Sequence, residues 1–153
     1  MLALVSPVTH PAKQPVAPRR CSIAGALDVI GEKWSLLVVR ELFLGVRRFN
    51  DIAANTGAPR DILTARLRRL EELGVVERRE YSDRPPRYEY RLTTAGKELR
   101  PVIMALKQWG DDHVMDAPLP LVWEHTCGKT FRARTHCEAC GEPVDPRSLT
   151  VRS

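Results

Sequence analysis

Three cysteines near the C-terminus have the residue type and part of the spacing of a zinc site. Cys137 and Cys140 form a C-x2-C pair that is followed by Gly141, and Cys127, ten residues before Cys137, is also followed by a glycine. Thiolate sulfur is a preferred ligand of structural zinc, which takes four ligands in a tetrahedron. The spacing therefore predicts three of the four ligands of one structural zinc per chain.

The fourth ligand of this site has two candidates. His125 precedes Cys127 in an H-x-C pattern, and His136 lies directly beside Cys137. We prefer His125, because adjacent residues such as His136 and Cys137 rarely both reach one metal. The alternative interpretation of residues 116–153 is a small, loop-rich tail with reduced cysteines and no metal.

Cys21 is a separate thiol with a different kind of chemistry. It lies at the N-terminal end of the first predicted helix, directly after Arg19 and Arg20. The helix dipole and the two guanidinium groups would favour the thiolate, which is the form that reacts with oxidants and electrophiles. The alternative is that Cys21 is a small buried apolar residue.

Arginines are concentrated in one part of the chain. The formal net charge is only +5, but residues 47–69 contain six arginines and only two acidic residues, Asp51 and Asp61. Such a local excess attracts phosphate through coulombic attraction and counterion release. A solvated charged face would have the same composition, so the function depends on the elements that carry these arginines.

Apolar residues at helical spacing predict two helices before the arginines. The first carries Ile23, Leu27 and Ile30, and the second starts near Trp34 and stops at Gly45. Spacing of this kind predicts a buried stripe on each helix, and we assign both stripes to the core.

A helix-turn-helix follows. Asn50 is expected to cap a short helix that ends at Gly57, and the next helix begins at Pro59 after a tight turn. This second helix runs to about residue 73, and leucines at positions 63, 67 and 70 form its buried face. Its opposite face carries Arg60, Asp61, Thr64 and Arg68.

Two strand-like segments come next, with a polar turn that contains two prolines at residues 82–87. We interpret the turn as an exposed wing that carries Arg84 and Arg87. The order of elements predicts a mainly α fold with a small β-hairpin, an α+β winged helix-turn-helix, with a zinc-ribbon-like C-terminal tail. The predicted domains are a disordered, mildly basic arm at 1–20, the DNA-binding and dimerisation domain at 21–115, and the C-terminal module at 116–153.

A last helix follows the hairpin and begins after Thr93 or Thr94. It has an apolar stripe and contains Pro101, which should bend it or delay its regular part. A second copy of the chain could cover this stripe in a two-fold dimer, which would match a palindromic operator; the alternative is packing onto the same chain.

No apolar run approaches the roughly 18 residues that a membrane span needs, and the N-terminus lacks the features of a signal peptide. We therefore expect a cytoplasmic, nucleoid-associated protein without a membrane partner. No phosphate-binding glycine loop and no Ser/His/Asp pattern is present, so the sequence does not predict an enzyme.

The segments CSIAGALDVIGEKWSLLVVRELFLGVRRFNDI, APRDILTARLRRLEELGVVERR, PPRYEYRLTTAGKEL and LKQWG, in this order, resemble the HxlR family of bacterial transcriptional regulators, which are relatives of the MarR regulators. The resemblance covers roughly residues 21–114. It implies a homodimeric winged-helix regulator whose helix at about 59–73 reads the major groove and whose wing at 82–87 contacts the minor groove or the backbone. Ala58 departs from the family, which often has a serine there that could cap the helix.

The resemblance also bears on Cys21, because some family members sense electrophiles or oxidants through a cysteine at this place. An electrophile or another small molecule is thus a candidate effector. The DNA-binding residues follow from the faces described above: Arg47, Arg48, Arg60, Asp61, Thr64, Arg68, Arg84 and Arg87. The expected partner is a pseudo-palindromic double-stranded operator. The alternative function is a winged-helix protein-interaction module with a zinc-binding tail and no specific DNA target.

Overall fold

The computed structural model describes residues 20–117, 119 and 121–151. The predicted N-terminal arm lies outside these residues except for Arg20. The described part is mainly helical with one antiparallel two-stranded hairpin, as the sequence predicts. Its elements are α1 Ser22–Ile30, α2 Lys33–Phe43, α3 Phe49–Thr56, α4 Arg60–Glu72, β1 Val76–Asp83, β2 Pro86–Leu92, α5 Thr94–Glu98, α6 Arg100–His113 and a 3-10 turn at Pro146–Ser148.

The core lies where α2, α3 and α4 meet the base of the hairpin. The predicted leucine face of α4 is fully buried, together with Val38 and Val39 of α2 and Ile52 of α3. Burying a large aliphatic side chain stabilises the fold by roughly 1.5–3 kcal/mol relative to exposing it. This cluster therefore fixes α4 through one face only and leaves the opposite face outside the core.

Helix α1 departs from the prediction. Its stripe was expected to be core, but Ile23 and Leu27 are 71% and 56% exposed, and only Ile30 of this helix is buried. The prediction was wrong for these two residues because helical periodicity identifies an apolar face without identifying what covers it.

The helix-turn-helix has the predicted glycine but not the predicted cap. Gly57 ends α3 in the left-handed conformation, with φ +69°, and its N–H donates to the Ala53 carbonyl. Helix α3 begins at Phe49, so Asn50 is inside the first turn and does not cap it. Pro59 is the N-cap of α4, and that helix starts one residue later than expected.

The hairpin is joined to the helices at its edge and at its base. The Tyr90 N–H donates to the Arg47 carbonyl at 2.8 Å, which adds the loop before α3 to the edge of β2. At the base, the Thr93 hydroxyl donates to the Gly74 carbonyl at 2.6 Å. Thr93 also caps α5 by accepting from the Gly96 N–H at 3.1 Å, so one side chain links the end of α4 to the start of α5.

Gly96 marks a close approach at the same place. A Cβ atom built on Gly96 would lie 2.2 Å from the Val75 carbonyl oxygen and 3.0 Å from Leu92 Cδ2. Backbone atoms cannot yield to such a contact as the end of a flexible side chain can. Only glycine therefore allows α5 to pack this closely against the start of the hairpin.

Pro101 falls where the last helical pattern was expected to bend. The pattern is divided into α5 and α6 at Leu99, and Pro101 lies in the first turn of α6, where a missing N–H costs little. No helix among the described residues is long and apolar enough to cross a membrane.

The C-terminal module lies against α6. The Ala133 N–H donates to the Gln108 side-chain oxygen at 2.5 Å, and Arg132 forms an ion pair with Asp112 at 2.7 Å. One side of α6 is therefore covered by residues that follow it in the chain.

Candidate nucleic-acid interface

The outer face of α4 is polar and open to solvent. Asp61, Thr64 and Arg68, which the sequence placed on this face, are all exposed. The Thr64 hydroxyl donates to the Arg60 carbonyl at 2.8 Å, and Arg68 Nε donates to the Glu72 carboxylate at 3.0 Å. An exposed ion pair of this kind contributes about 0–1 kcal/mol, so Arg68 can exchange Glu72 for another acceptor at little cost.

Arg60 is held in place by two residues of α3. Its guanidinium lies 4.9 Å from the centroid of the Phe49 ring, and its Nη2 donates to Asn50 Oδ1 at 3.1 Å. Stacking on an aromatic face and a hydrogen bond both restrict the long side chain. The first residue of α4 thus presents an oriented guanidinium beside the turn of the helix-turn-helix.

A cleft of about 510 Å³ separates the start of α3 from the wing. Arg48 and Arg87 both line it, and Arg48 lies over the Tyr81 ring at 5.2 Å. Arg84 is exposed at the tip of the wing. Within the described part of the chain these three arginines have no salt-bridge partner, so their charge is available to a phosphate.

Arg47 and Arg48 are consecutive but line different clefts. Arg48 faces the cleft beside α3, whereas Arg47 lines a second cleft together with Lys97 and Arg100. The sequence placed both arginines in one phosphate-binding group, and the structure separates them.

Three side chains in this region were missed as site residues by the sequence analysis. Asn50 was assigned to a helix cap but bonds Arg60, and Tyr81 and Tyr88 line the cleft with Arg48. Tyr88 also lies 4.5 Å from the guanidinium of Arg78. Alternation along the strands would have indicated which tyrosines share a face, but not which arginine each one contacts.

Helix α6 also has an exposed face, which is apolar, whereas the exposed face of α4 is polar. Val102, Leu106 and Trp109 follow one another at helical spacing and are 48%, 49% and 58% exposed. On a second face of α6, Ile103 is buried in the core. On a third face, Gln108 and Asp112 bond to residues of the C-terminal module. In a single chain, the face with Val102, Leu106 and Trp109 therefore exposes large apolar side chains to water.

Cys137 and Cys140 lie in one turn, and hydrogen bonds within this turn favour the thiolate form of Cys137. The backbone N–H groups of Cys140 and Ala139, and then the Cys140 side chain, lower the pKa of the Cys137 thiol by hydrogen bonding to its sulfur. The Gly141 N–H donates to the Cys137 carbonyl at 2.8 Å, and Gly141 has φ +74°.

The turn at Cys127 repeats this backbone pattern with one residue fewer. The Gly128 N–H donates to the His125 carbonyl at 2.8 Å, and Gly128 has φ +76°. The His125 N–H donates to the Lys129 carbonyl just as the Cys137 N–H donates to the Glu142 carbonyl. His125 therefore occupies the position in its turn that Cys137 occupies in the other.

The two turns do not form an assembled metal site. Among the residues that the structure describes, no group of three or more His, Cys, Asp or Glu side chains is arranged to hold a metal ion. His125 Nδ1 instead accepts from the Cys127 N–H at 3.3 Å. The predicted donors are thus paired within each turn, but the four are not brought together.

Cys21 lies where the sequence placed it. It is the residue before α1, its carbonyl accepts from the Gly25 N–H, and its side chain is exposed and makes no capping bond. In the single chain, Cys21 is therefore not the buried packing residue of the alternative interpretation.

Comparison with known proteins places this arrangement in a family. Residues 29–118 match the HxlR-like helix-turn-helix family, which is more than half of the chain. The chain belongs to the HxlR-like helix-turn-helix family. The relatives that it resembles carry the names of HTH-type transcriptional regulators, and the winged helix-turn-helix architecture is shared with solved structures of transcription factors.

An uncharacterized HTH-type transcriptional regulator of Mycobacterium tuberculosis is 46% identical over 131 residues, covering 84% of this chain and 83% of its own. PA1607, described as a transcription factor, superimposes with a TM-score of 0.75 at 34% identity, over 86% of this chain and 94% of its own. Alignments of this extent are too long to end at residue 118, so both continue into the C-terminal module.

A shorter neighbour is the redox regulator HypR in its oxidized form. It superimposes with a TM-score of 0.57 at 34% identity and covers 63% of this chain, while all of HypR is matched. The winged-helix part is therefore shared with a protein whose own name records redox regulation.

Proposed function

We propose that this HxlR-family transcriptional regulator binds a pseudo-palindromic DNA operator as a homodimer. The observation that carries the proposal is the position of Arg60, which Phe49 and Asn50 hold at the start of an exposed polar helix face. An oriented guanidinium at this place in a helix-turn-helix is suited to a bidentate contact with guanine.

In the proposed complex, α4 lies in the major groove. Asp61, Thr64 and Arg68 face the base edges beside Arg60, and the wing at 82–87 contacts the minor groove or the backbone. Arg48 and Arg87, which line one cleft, and the exposed Arg84 of the wing supply positive charge, which phosphate contacts require. Arg47 is the predicted residue whose contact with the same phosphates has the least support, since it lines another cleft.

The proposed dimer uses the exposed apolar residues of α6 together with those of α1. Covering Leu106 and Trp109, and Ile23 and Leu27 in the same assembly, removes large apolar area from water at about 25 cal/mol per Å². A two-fold dimer of winged helices presents two copies of α4, and half-sites one helical turn apart follow from that geometry. Such a regulator acts where the chromosomal DNA is, which in bacteria is the cytoplasm.

A protein-interaction module without a DNA target is the alternative function. The names of the relatives do not favour it, and they do not favour an enzyme either.

The deciding experiment is selection of bound fragments from the organism's genomic DNA, followed by fluorescence anisotropy on the enriched duplex. We expect one enriched pseudo-palindromic sequence and an affinity that decreases steeply as salt rises. Binding of a protein partner, with no duplex enriched, would support the alternative.

Cys21 supports a proposal about control of this activity. Its exposed thiol precedes α1, whose Ile23 and Leu27 belong to the proposed dimer surface. Modification by an electrophile or oxidant would add bulk beside that surface and change the angle between the two copies of α4. Cys21→Ser should make operator binding insensitive to diamide, with the other three cysteines retained; an unchanged response would show that Cys21 is not the sensor.

For the C-terminal module we propose one structural zinc per chain, held by His125, Cys127, Cys137 and Cys140. The donor set and the matching backbone of the two turns support it. Binding would have to draw the two turns together, since the four donors are not assembled. Elemental analysis of protein purified without chelators should give about one zinc per chain, and Cys137→Ser should lose it; no metal in the parent protein would return the module to a loop-rich tail.

A further inference from the structure

Strand β1 is interrupted by a β-bulge at Tyr81, beside the cleft of the candidate DNA surface. On the side nearer the helices, Glu80 pairs with Tyr88. The next pair toward the tip of the wing is Ser82 with Arg87, so Tyr81 is an extra residue that has no partner on β2. A bulge increases the local twist of its strand and re-aims a side chain. The Tyr81 side chain lines the cleft between the wing and the start of α3.

The Tyr81 ring meets Arg48 in this cleft. The Arg48 guanidinium lies over the ring, 5.2 Å from its centroid. Among residues 20–117, 119 and 121–151, this guanidinium has no hydrogen bond and no ion pair to another group. The contact with the ring is therefore what restricts the Arg48 side chain in the protein without DNA.

The main chain at Arg48 is held by hydrogen bonds on both sides. The Arg48 carbonyl accepts from the Ile52 N–H at 3.0 Å, and the preceding Arg47 carbonyl accepts from the Tyr90 N–H at 2.8 Å. The start of the side chain is thus fixed, but a long arginine side chain can still adopt many rotamers. Ordering it on a phosphate costs conformational entropy, and a ring that has already restricted it lowers this cost.

The ring restricts Arg48 without using the groups that a phosphate needs. Because a ring face attracts the charge of a guanidinium, the N–H donors remain available to phosphate oxygens. Arg78 differs in this respect. Its guanidinium lies 4.5 Å from the centroid of the Tyr88 ring and also faces the Glu71 carboxylate at 3.9 Å. Arg48 has the ring without the carboxylate, which leaves its donors for an acceptor from outside the chain.

We infer that Tyr81 is a positioning residue for DNA binding. Its ring, which the bulge directs into the cleft, holds the Arg48 guanidinium where it binds a phosphate of the DNA backbone. This role rests on the proposed function, because the phosphate is that of the operator or of random DNA. The ring acts, and the Tyr81 hydroxyl does not. The contribution is the same on both kinds of DNA, since phosphate contacts carry no direct sequence information.

The test is a double-mutant cycle, measured by fluorescence anisotropy on a random-sequence duplex at fixed low salt. Tyr81→Leu should weaken binding about two- to fivefold, as expected for loss of one exposed contact between a cation and a ring. In the Arg48→Ala background the same change should have no effect, because no guanidinium is left to position. Tyr81→Phe keeps the ring without the hydroxyl, and it should restore the affinity that Tyr81→Leu loses.

Arg84→Ala tests whether the wing stays folded in these variants. Arg84 is exposed at the tip of the wing, and its guanidinium lies over no ring in the described part of the chain. The losses from Arg84→Ala and Tyr81→Leu should therefore add. If Tyr81→Leu instead disrupted the wing, the effect of Arg84→Ala would disappear in that background.

Four results would overturn the positioning role of Tyr81. They are an unchanged affinity of Tyr81→Leu, an equal loss with and without Arg48, a Tyr81→Phe variant as weak as Tyr81→Leu, and losses from Tyr81→Leu and Arg84→Ala that do not add. Each of these would leave the proposed function in place, since the parent protein still binds DNA. A parent protein that binds no duplex at low salt would refute the proposed function itself, and the role of Tyr81 with it.

Discussion

Helices α4 and α6 have nearly the same length, 13 and 14 residues, and each leaves one face uncovered by its own chain. The uncovered face of α4 carries arginine, aspartate and threonine, whereas that of α6 carries valine, leucine and tryptophan. Exposed polar side chains cost little in water, but a contiguous apolar stripe marks a surface that another macromolecule covers. In the function proposed above, the two helices therefore suit two different kinds of partner, DNA for α4 and a second copy of the chain for α6.

The largest effect should come from placing a charge in the α6 stripe. Leu106→Asp would put a carboxylate into the proposed dimer interface, and we expect the dimer dissociation constant to rise at least ~30-fold, which is about 2 kcal/mol. Operator affinity should decrease with it, because one α4 alone contacts only a half-site. Sedimentation velocity measures the first quantity and fluorescence anisotropy the second.

Lys129→Asp is the matched control for this change, since it places the same carboxylate on the exposed tail. It should leave the dimer intact. If Leu106→Asp sediments as the parent protein does, the α6 stripe is not the dimer surface, and the contrast between the two helices fails.

A substitution on the exposed polar face of α4 should have a smaller effect on DNA binding. Arg60→Ala should reduce the preference for operator over random DNA by about 1–3 kcal/mol if the guanidinium makes a bidentate base contact. The dimer should not change. Arg147→Ala, at an exposed arginine of the tail, is the control, and equal loss on operator and random DNA would reassign Arg60 to a phosphate.

Removing an arginine of the wing should change the salt dependence of DNA binding more than the preference for operator over random DNA. Arg87→Ala removes an exposed arginine that lines the cleft beside α3. We expect the slope of log affinity against log salt to become shallower by about 1, on operator and random DNA alike. A slope equal to that of the parent would mean that Arg87 does not contact phosphate.

The smallest effect concerns the side chain that orients Arg60. Asn50→Ala removes the hydrogen bond acceptor of the guanidinium, and we expect operator binding to weaken by about 1 kcal/mol. In a double-mutant cycle with Arg60→Ala the two losses should not add, because both act through one guanidinium. Additive losses would show that Asn50 contacts DNA independently of Arg60.

The sequence predicted what depends on local patterns. The leucine spacing of α4 gave its buried face, and the left-handed Gly57 had a distinct signal; for the cap of α5 the sequence left Thr93 and Thr94 open, and the structure has Thr93. Contacts between side chains distant in the chain had no such signal. Asn50 has the residue type of a helix cap whether or not it caps, and its bond to Arg60 depends on how α3 packs against α4.

The apolar stripes show the same limit in another form. Periodicity identifies the apolar side of α1 equally well whether its own chain or a second copy covers it, so Ile23 and Leu27 were assigned to the core. Arg47 and Arg48 are adjacent in the sequence, and the loop that carries them directs the two side chains into separate clefts. Neither outcome follows from residue type or spacing.

The contact at Gly96 bears on the spacing of the DNA half-sites in the proposed complex. The missing side chain lets α5 rest directly on the Val75 carbonyl, just after α4 ends, and α6 continues from α5. In the proposed dimer, the distance from one copy of α4 to the other would depend in part on this backbone contact. The number of base pairs between the half-sites of such an operator would then depend in part on the absence of one methyl group.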